Sequence, residues 1–247
     1  MSKVTDFFQK VSENVIFVLV FLAVVVFMFL IAYMAEKLIQ KKNGTKDKIF
    51  NTRKTAMIGM FSAISMVLML FEFPLPFLAP PFYELDASEL PVLICGFAFG
   101  PVAAVITEFC KILLKLLFRS TSTAFVGELA NFAIGCSLIL PATIIYHFKK
   151  KKKIAMIGCI IGTLCITIFG TLFNALYLLP AFSKLYGMDL GLIIDMGTKI
   201  NRHITGITTF VIFAVAPINL IKGGAISILT MLVYKPLSPI LKEGHNR

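Results

Sequence analysis

Apolar runs of membrane-crossing length alternate with short polar stretches along the chain. Val15 to Met34 is a run of 20 residues without charge, and a spanning helix needs about 20 such residues. It exceeds a signal-peptide core of about 7–15 residues and no small-residue cleavage site follows, so it reads as a retained span. Thr55 to Phe71 is the next span. Thr55, Gly59 and Ala63 recur there every four residues, a small-residue stripe of the kind that lets helices approach closely in lipid. Spacing alone allows either packing within the molecule or docking of a partner. Phe71 to Leu90 holds Pro74, Pro76, Pro80 and Pro81 with Glu72, Glu84, Asp86 and Glu89 and no basic residue. It is too proline-dense for a helix and reads as an external loop. Pro91 to Phe99 is short, and Gly100-Pro101 breaks it. Pro101, at a favoured first helical position, opens Val102 to Phe118. The pattern predicts a short descending helix, a tight turn and an ascending helix. Gly127 to Tyr146 then descends, with a kink expected at Pro141, and Ile154 to Leu179 ascends. Pro180 to Arg202 reads as a mixed external loop. His203 to Tyr234 is apolar for 32 residues, about 48 Å as one helix against a hydrocarbon core of about 30 Å. A break is therefore expected at Pro217, which opens a last span ending at Lys235-Pro236.

These elements define an all-α integral membrane protein. A six-helix core with a short second helix is preceded by one extra N-terminal span. The expected divisions are 1–36 for the extra helix, 37–54 for a basic linker, 55–236 for the core and 237–247 for a tail. Composition agrees: 58% of residues are hydrophobic, against roughly 45–50% in soluble domains. The net charge of +11 does not point to nucleic acid, because the basic residues gather in runs between apolar segments. Fifteen of the 24 Lys and Arg fall in the linker, in Lys149 to Lys153 and in the stretch from Lys235 onward. The positive-inside rule puts those segments and the C-terminus in the cytoplasm and the N-terminus outside, in a multi-pass membrane protein. The lysine run is a solvated topology anchor or, alternatively, a phospholipid contact. The five cysteines lie in apolar stretches without CxxC spacing and read as small hydrophobes. The three histidines do not cluster, and neither metal nor cofactor is expected.

The polar residues within the spans carry the functional signal. Glu128 and Asn131, three apart, share a helix face. With Asn174, Asn219 and Lys222 they fall near outer helix ends on three spans. Each facing lipid at mid-depth would cost up to about 3 kcal/mol, so one shared cavity accounts for them better. Amides both donate and accept, which suits a neutral heterocycle. Phe71, Phe73, Phe77, Phe132, Phe173 and Tyr177 are candidates to sandwich a flat ring. The alternative is that the amides merely pin helices together. Glu108, Lys111 and Lys115 share a face. Either Glu108 and Lys111 neutralise each other while Lys115 snorkels outward, or Lys111 reaches the ligand. There is no Walker A loop, HExxH or paired-aspartate motif, so no enzyme is predicted. An ion-coupled transporter relaying through Glu108 or Glu128 is the other class, disfavoured by the lack of internal repeats.

The strings Leu85-Asp-Ala-Ser-Glu-Leu-Pro91, Gly96-Phe-Ala-Phe-Gly-Pro101, Gly127-Glu-Leu-Ala-Asn-Phe132 and Ala216-Pro-Ile-Asn-Leu-Ile-Lys-Gly223 resemble the riboflavin-binding substrate subunits (S components) of energy-coupling factor vitamin transporters. The resemblance covers about Arg53 to Pro236, and Met188 to Asn201 is similar to a longer form of one family loop. It implies a six-helix binding protein that captures riboflavin from outside, with FMN or analogues left open. It also implies a transmembrane coupling subunit and two cytoplasmic ATPases as partners, with the S component toppling to open inward. By motif, Glu128, Asn131, Asn174, Asn219 and Lys222 would contact the ligand. Leu85 and Asp86, in the segment running to Glu89, would cap it. Gly59 and Ala63 would centre the face that docks on the coupling subunit. The first span lies outside the family core, and Ala87 stands where an aromatic is expected. Another vitamin or heterocycle on the same scaffold is the alternative.

Overall fold

The computed structural model describes residues 15–44, 48–119, 121, 123–187 and 189–242. Helix α1 runs Val15–Asn43, past the expected start of the linker. Ala35 to Lys42 are nearly all strong helix formers, Glu36 and Ile39 are buried, and Gly44 follows in the left-handed region at φ +66°. Helix α2 (Thr52–Met69) starts at Asn51, whose side chain accepts from the Lys54 amide at 2.8 Å. The proline-rich connection then forms two short strands, β1 (Phe73–Pro74) and β2 (Glu84–Leu85), paired antiparallel with Phe73 opposite Leu85.

Helix α3 (Glu89–Phe99) begins earlier than expected, so Glu89 and Leu90 belong to it rather than to the loop. An acidic residue in a first turn meets the positive end of the helix dipole. Gly100 turns the chain at φ +110°, and Pro101 opens α4 (Pro101–Phe118). Helix α5 (Val126–Phe148) runs unbroken through Pro141. Helix α6 (Lys152–Phe173) continues through a π-helical turn, Asn174–Leu178, into α7 (Leu179–Tyr186). Helix α8 (Leu190–Ile200) follows, so most of the expected loop from Pro180 to Arg202 is helical; Met188 lies outside the described residues. Helix α9 (Ile207–Phe210), a second π-helical turn, Val211–Val215, and α10 (Ala216–Lys242) then form one rod.

The expected break at Pro217 is absent, and α10 passes Pro236 as well. One residue separates each π turn from a proline: the Leu179 amide bonds to Asn174 O ahead of Pro180, and the Ala216 amide to Val211 O ahead of Pro217. A proline ring crowds the carbonyl four residues back. A single five-residue hydrogen bond widens the turn and relieves that crowding. Among the described residues, four stretches are long and apolar enough to cross a membrane: Val15–Asn43, Val126–Phe148, Lys152–Leu185 and Ile207–Leu237. Helix α3 is apolar but has only 11 residues.

Helices α5 and α6 pack through bare backbone. A side chain added at Gly158 would meet Ala142 O at 2.7 Å, and one at Gly162 would meet Leu138 O at 2.5 Å. On α2, Ile58, Phe61, Ser62, Ser65, Met66 and Met69 face the core, while Thr55, Gly59 and Ala63 are exposed. The small-residue stripe is therefore not packed within the molecule. Helix α1 lies against α4 and α5, with Phe21 between Phe109 (centroids 6.2 Å) and Phe132 (5.9 Å, edge-on).

Because the α5–α6 contact admits no Cβ, Gly162→Leu should destabilise the protein by about 1–3 kcal/mol. The measurement is the thermal unfolding midpoint in detergent. Gly224→Ala, where nothing lies within 4 Å, should leave the midpoint unchanged or raise it.

Candidate substrate-binding site

The turn at Gly100 folds α3 against α4, which sets Ser88 and Glu89 beside Glu108 and Lys111. The Lys111 side chain is fully buried. Its Nζ donates to Glu108 Oε1 at 2.7 Å and Ser88 Oγ at 2.9 Å, and lies 3.6 Å from Glu89 Oε1. From α10, Lys222 Nζ reaches the same Glu89 oxygen at 2.9 Å and Asp86 Oδ2 at 3.1 Å. Asp86 Oδ1 accepts from the Ser88 amide at 2.7 Å. Three carboxylates and two ammonium groups thus form one buried cluster. Burial alone would raise the Asp86 carboxyl. The ammonium groups of Lys222 and Lys111 and the hydrogen bonds from Ser88 outweigh that and hold it at about 2, against an ordinary 3.8. Glu89 Oε2 and Glu108 Oε2 are buried and have no hydrogen-bond partner among the described residues. They are acceptors aimed into the interior.

A second group of polar side chains lies at the start of α5. Ala124 and Phe125 take left-handed backbone angles, φ +47° and +69°, which are costly without glycine. The turn is held by hydroxyls: Thr121 Oγ1 accepts from the Phe125 amide and Thr123 Oγ1 from the Gly127 amide. Both hydroxyls donate to Glu128 Oε2, at 2.9 and 3.1 Å, and Lys115 Nζ donates to Glu128 Oε1 at 2.7 Å. Lys115 therefore turns inward to Glu128 and does not snorkel outward. Asn131, half-buried, lies one turn further along the same face. Gly135 is one turn beyond, where a side chain would collide with the Glu108 carboxylate. This face of α5 thus leads from Glu128 to the central cluster.

The third group pairs two amides across the rods containing α6 and α10. Asn174 opens the first π turn. Its Nδ2 donates to Gly170 O at 2.7 Å and its Oδ1 accepts from the Tyr83 hydroxyl at 2.7 Å. Burial pushes the Tyr83 phenol up, which keeps it a neutral donor. Asn219 Nδ2 donates to Val215 O at 3.1 Å, and its side chain sits over Gly170, where a Cβ would come within 2.7 Å of Nδ2. The two π turns touch. Leu85 is buried in one apolar cluster with Leu179, Ile193, Ile204 and Phe210. The loop before α3 is therefore fastened by Tyr83 to α6, by Asp86 to α10, and by Leu85 to the apolar layer between them.

The structure joins Asp86 and Lys222 directly, links Lys111 to both through Ser88 and Glu89, and places Asn174 and Asn219 about Gly170. Glu128 lies in its own hydroxyl-lined corner. Sequence reasoning places Ser88 and Glu89 only in the capping segment and does not include Tyr83. Glu89 was legible as an acid three residues from Asp86, but it was assigned to a loop. The Glu108–Lys111 pairing is present, yet it is joined to Lys222 and Asp86 and does not close on itself. Phe71, Phe73 and Phe77 are exposed, Phe132 is buried with Phe21 and Phe109, and Phe173 stacks on Tyr177 along α6. These aromatics do not form a sandwich in this arrangement.

A buried cluster of charges, with amides on the adjoining rods, thus lies beneath a fastened loop where α3, α4 and α10 of a largely apolar helical protein meet. The family model for the ECF transporter substrate-specific component matches residues 53–234. A Staphylococcus aureus protein named riboflavin transporter RibU is 38% identical over 191 residues, which is 77% of this chain and 93% of that protein. A Bacillus subtilis protein named riboflavin transporter FmnP is 28% identical over 192 residues, covering 77% and 95%. A solved structure described as the S component of a bacterial ECF transporter superposes with a TM-score of 0.61 at 38% identity, over 77% of this chain and 98% of that one. The chain belongs to the family of ECF transporter substrate-specific components and is a multi-pass membrane protein. Helix α1 lies before the matched stretch.

The depressed Asp86 carboxyl has a consequence for pH. Its ion pair should contribute about 2 kcal/mol of stability. That contribution should be complete above about pH 5 and lost as pH falls through the interval from 3.8 to about 2. The thermal stability gap between wild type and Asp86→Asn, measured across pH 6 to 2.5, should stay constant and then close below about pH 4.

Proposed function

We propose that this chain is the riboflavin-binding subunit of an ATP-dependent ECF vitamin transporter. It captures the vitamin at the outer face and passes it inward with a transmembrane coupling subunit and two cytoplasmic ATPases. The observation that carries this reading is the buried cluster with its two unengaged acceptors, Glu89 Oε2 and Glu108 Oε2. Flavin presents hydroxyl donors on a flexible chain and alternating carbonyl and N–H groups on a flat ring. The carboxylates and Lys111 suit the hydroxyls, and the amides of Asn131, Asn174 and Asn219 suit the ring edge. The names of the relatives support riboflavin in particular. The loop carrying Tyr83, Leu85 and Asp86 acts as the cap. Gly59 and Ala63, bare on the outside of α2, act as the docking face for the coupling subunit. The lysine run and the C-terminal end lie in the cytoplasm and the N-terminus lies outside.

The direct test is the absorbance spectrum of the full chain purified from cells grown on rich medium, followed by fluorescence titration with riboflavin. Isoalloxazine bands or quenching of added flavin are expected. A colourless protein that leaves riboflavin fluorescence unchanged would move the ligand to another vitamin. Asn131→Ala and Lys222→Ala should each weaken binding by about 1–3 kcal/mol, and unchanged affinity removes that residue from the site. Gly59→Leu should leave binding intact and abolish uptake in vesicles containing all four subunits. Uptake that survives this change sinks the docking role.

A further inference from the structure

Helix α4 has no cap of its own. Its N-cap position is Gly100, which has no side chain, and Pro101 follows without an N–H. The second amide of such a helix normally finds a Ser, Thr, Asn or Asp oxygen from the cap residue. Here the acceptor comes from another helix: Glu36 Oε2, on α1, takes the Val102 amide at 3.1 Å. Its other oxygen lies 3.8 Å from Lys54 Nζ at the start of α2. Glu36 is buried, and a carboxylate at that place also meets the positive end of the α4 dipole. Gly100 serves the approach as well as the turn, since a Cβ there would come within 2.9 Å of Glu36 Oε2.

Helix α1 lies outside the stretch matched by the family model, so this cap is additional to the family unit. The capped helix carries Glu108 and Lys111, about two to three turns further on. At the other end of α1, Phe21 wedges against Phe109, next to Glu108, and Phe132, next to Asn131. One added helix thus braces two of the helices that bring charged groups to the site, α4 and α5.

We propose that α1 is a working part of the ligand-binding unit and that Glu36 is a positioning residue, capping α4 in trans so that Glu108 and Lys111 stay in register with Glu89 and Lys222. The effect on ligand rests on the reading of that cluster as the riboflavin site; the cap itself does not. The full chain in detergent gives two readouts. Without ligand, amide exchange in the first turn of α4 should accelerate about tenfold in Glu36→Ala and stay near wild type in Glu36→Gln, which keeps the acceptor. Unchanged exchange in Glu36→Ala overturns the cap. With riboflavin, the Kd should rise about tenfold in Glu36→Ala and less than about twofold in Glu36→Gln. In a Lys111→Ala background, Glu36→Ala should add far less, because it acts through the position of α4. Full additivity overturns the positioning role. If wild type binds no riboflavin, the site reading falls and the cap is decided by exchange alone. Should Glu36→Ala not fold, Glu36→Ser, polar but too short to reach Val102, gives the same readings.

Discussion

Charge that cannot reach water governs this molecule. An unpaired ion taken out of water costs several kcal/mol even after relaxation, and Asp86, Glu89, Glu108, Lys111 and Lys222 all lie mostly or wholly out of its reach. Each is tolerable only because the others are present. Helices α3, α4 and α10 and the loop before α3 must therefore arrive together, and the cluster fixes their relative depth more sharply than apolar packing would. Leucine slides against leucine at little cost, whereas an ammonium shared by two carboxylates does not.

The π turns belong to the same logic. Asn174 and Asn219 need backbone acceptors four residues back, and each also has to face the interior near the other. Widening one turn of each rod changes the rotation of everything after it. It also lets Pro180 and Pro217 follow without a break. The amide of Asn219 is bonded to the last carbonyl of one π turn, Val215 O, and Asn174 is the first residue of the other. Irregular backbone in a membrane is affordable where protein surrounds it, and here the two irregular turns face each other.

Much of this was legible in the chain. The apolar runs predict the spans, Gly100-Pro101 predicts the hairpin, and the lone polar residues predict which helices converge. What failed was the meaning of proline. Pro217 reads as a break because proline removes a donor and clashes, yet a one-residue change of hydrogen bonding absorbs both effects, and no local signal distinguishes the two outcomes. Helix α8 is not legible as a helix because its polar residues, Asp195, Thr198 and Lys199, obscure a short amphipathic period. Glu89 was misplaced by two residues of boundary, enough to turn a buried helical acid into a loop acid. The partners of Lys115 and Lys222 depend on distant segments, which spacing within a helix cannot reveal. The glycines of α6 were visible, but their fit against the backbone of α5 emerges only when the helices are side by side.

The exposed stripe on α2 matters even before any protein meets it. A helix face with only small side chains is a groove, and in a bilayer it is filled by acyl chains. Chains lying in so narrow a groove give up conformational freedom that their neighbours keep. A protein surface that fits the groove returns those chains to the bulk lipid, so part of the association energy belongs to the lipid and not to the contact. If the stripe docks the proposed coupling subunit, the strength of that association would vary with how ordered the surrounding chains already are, and the membrane would take part in assembly through the barest surface of α2.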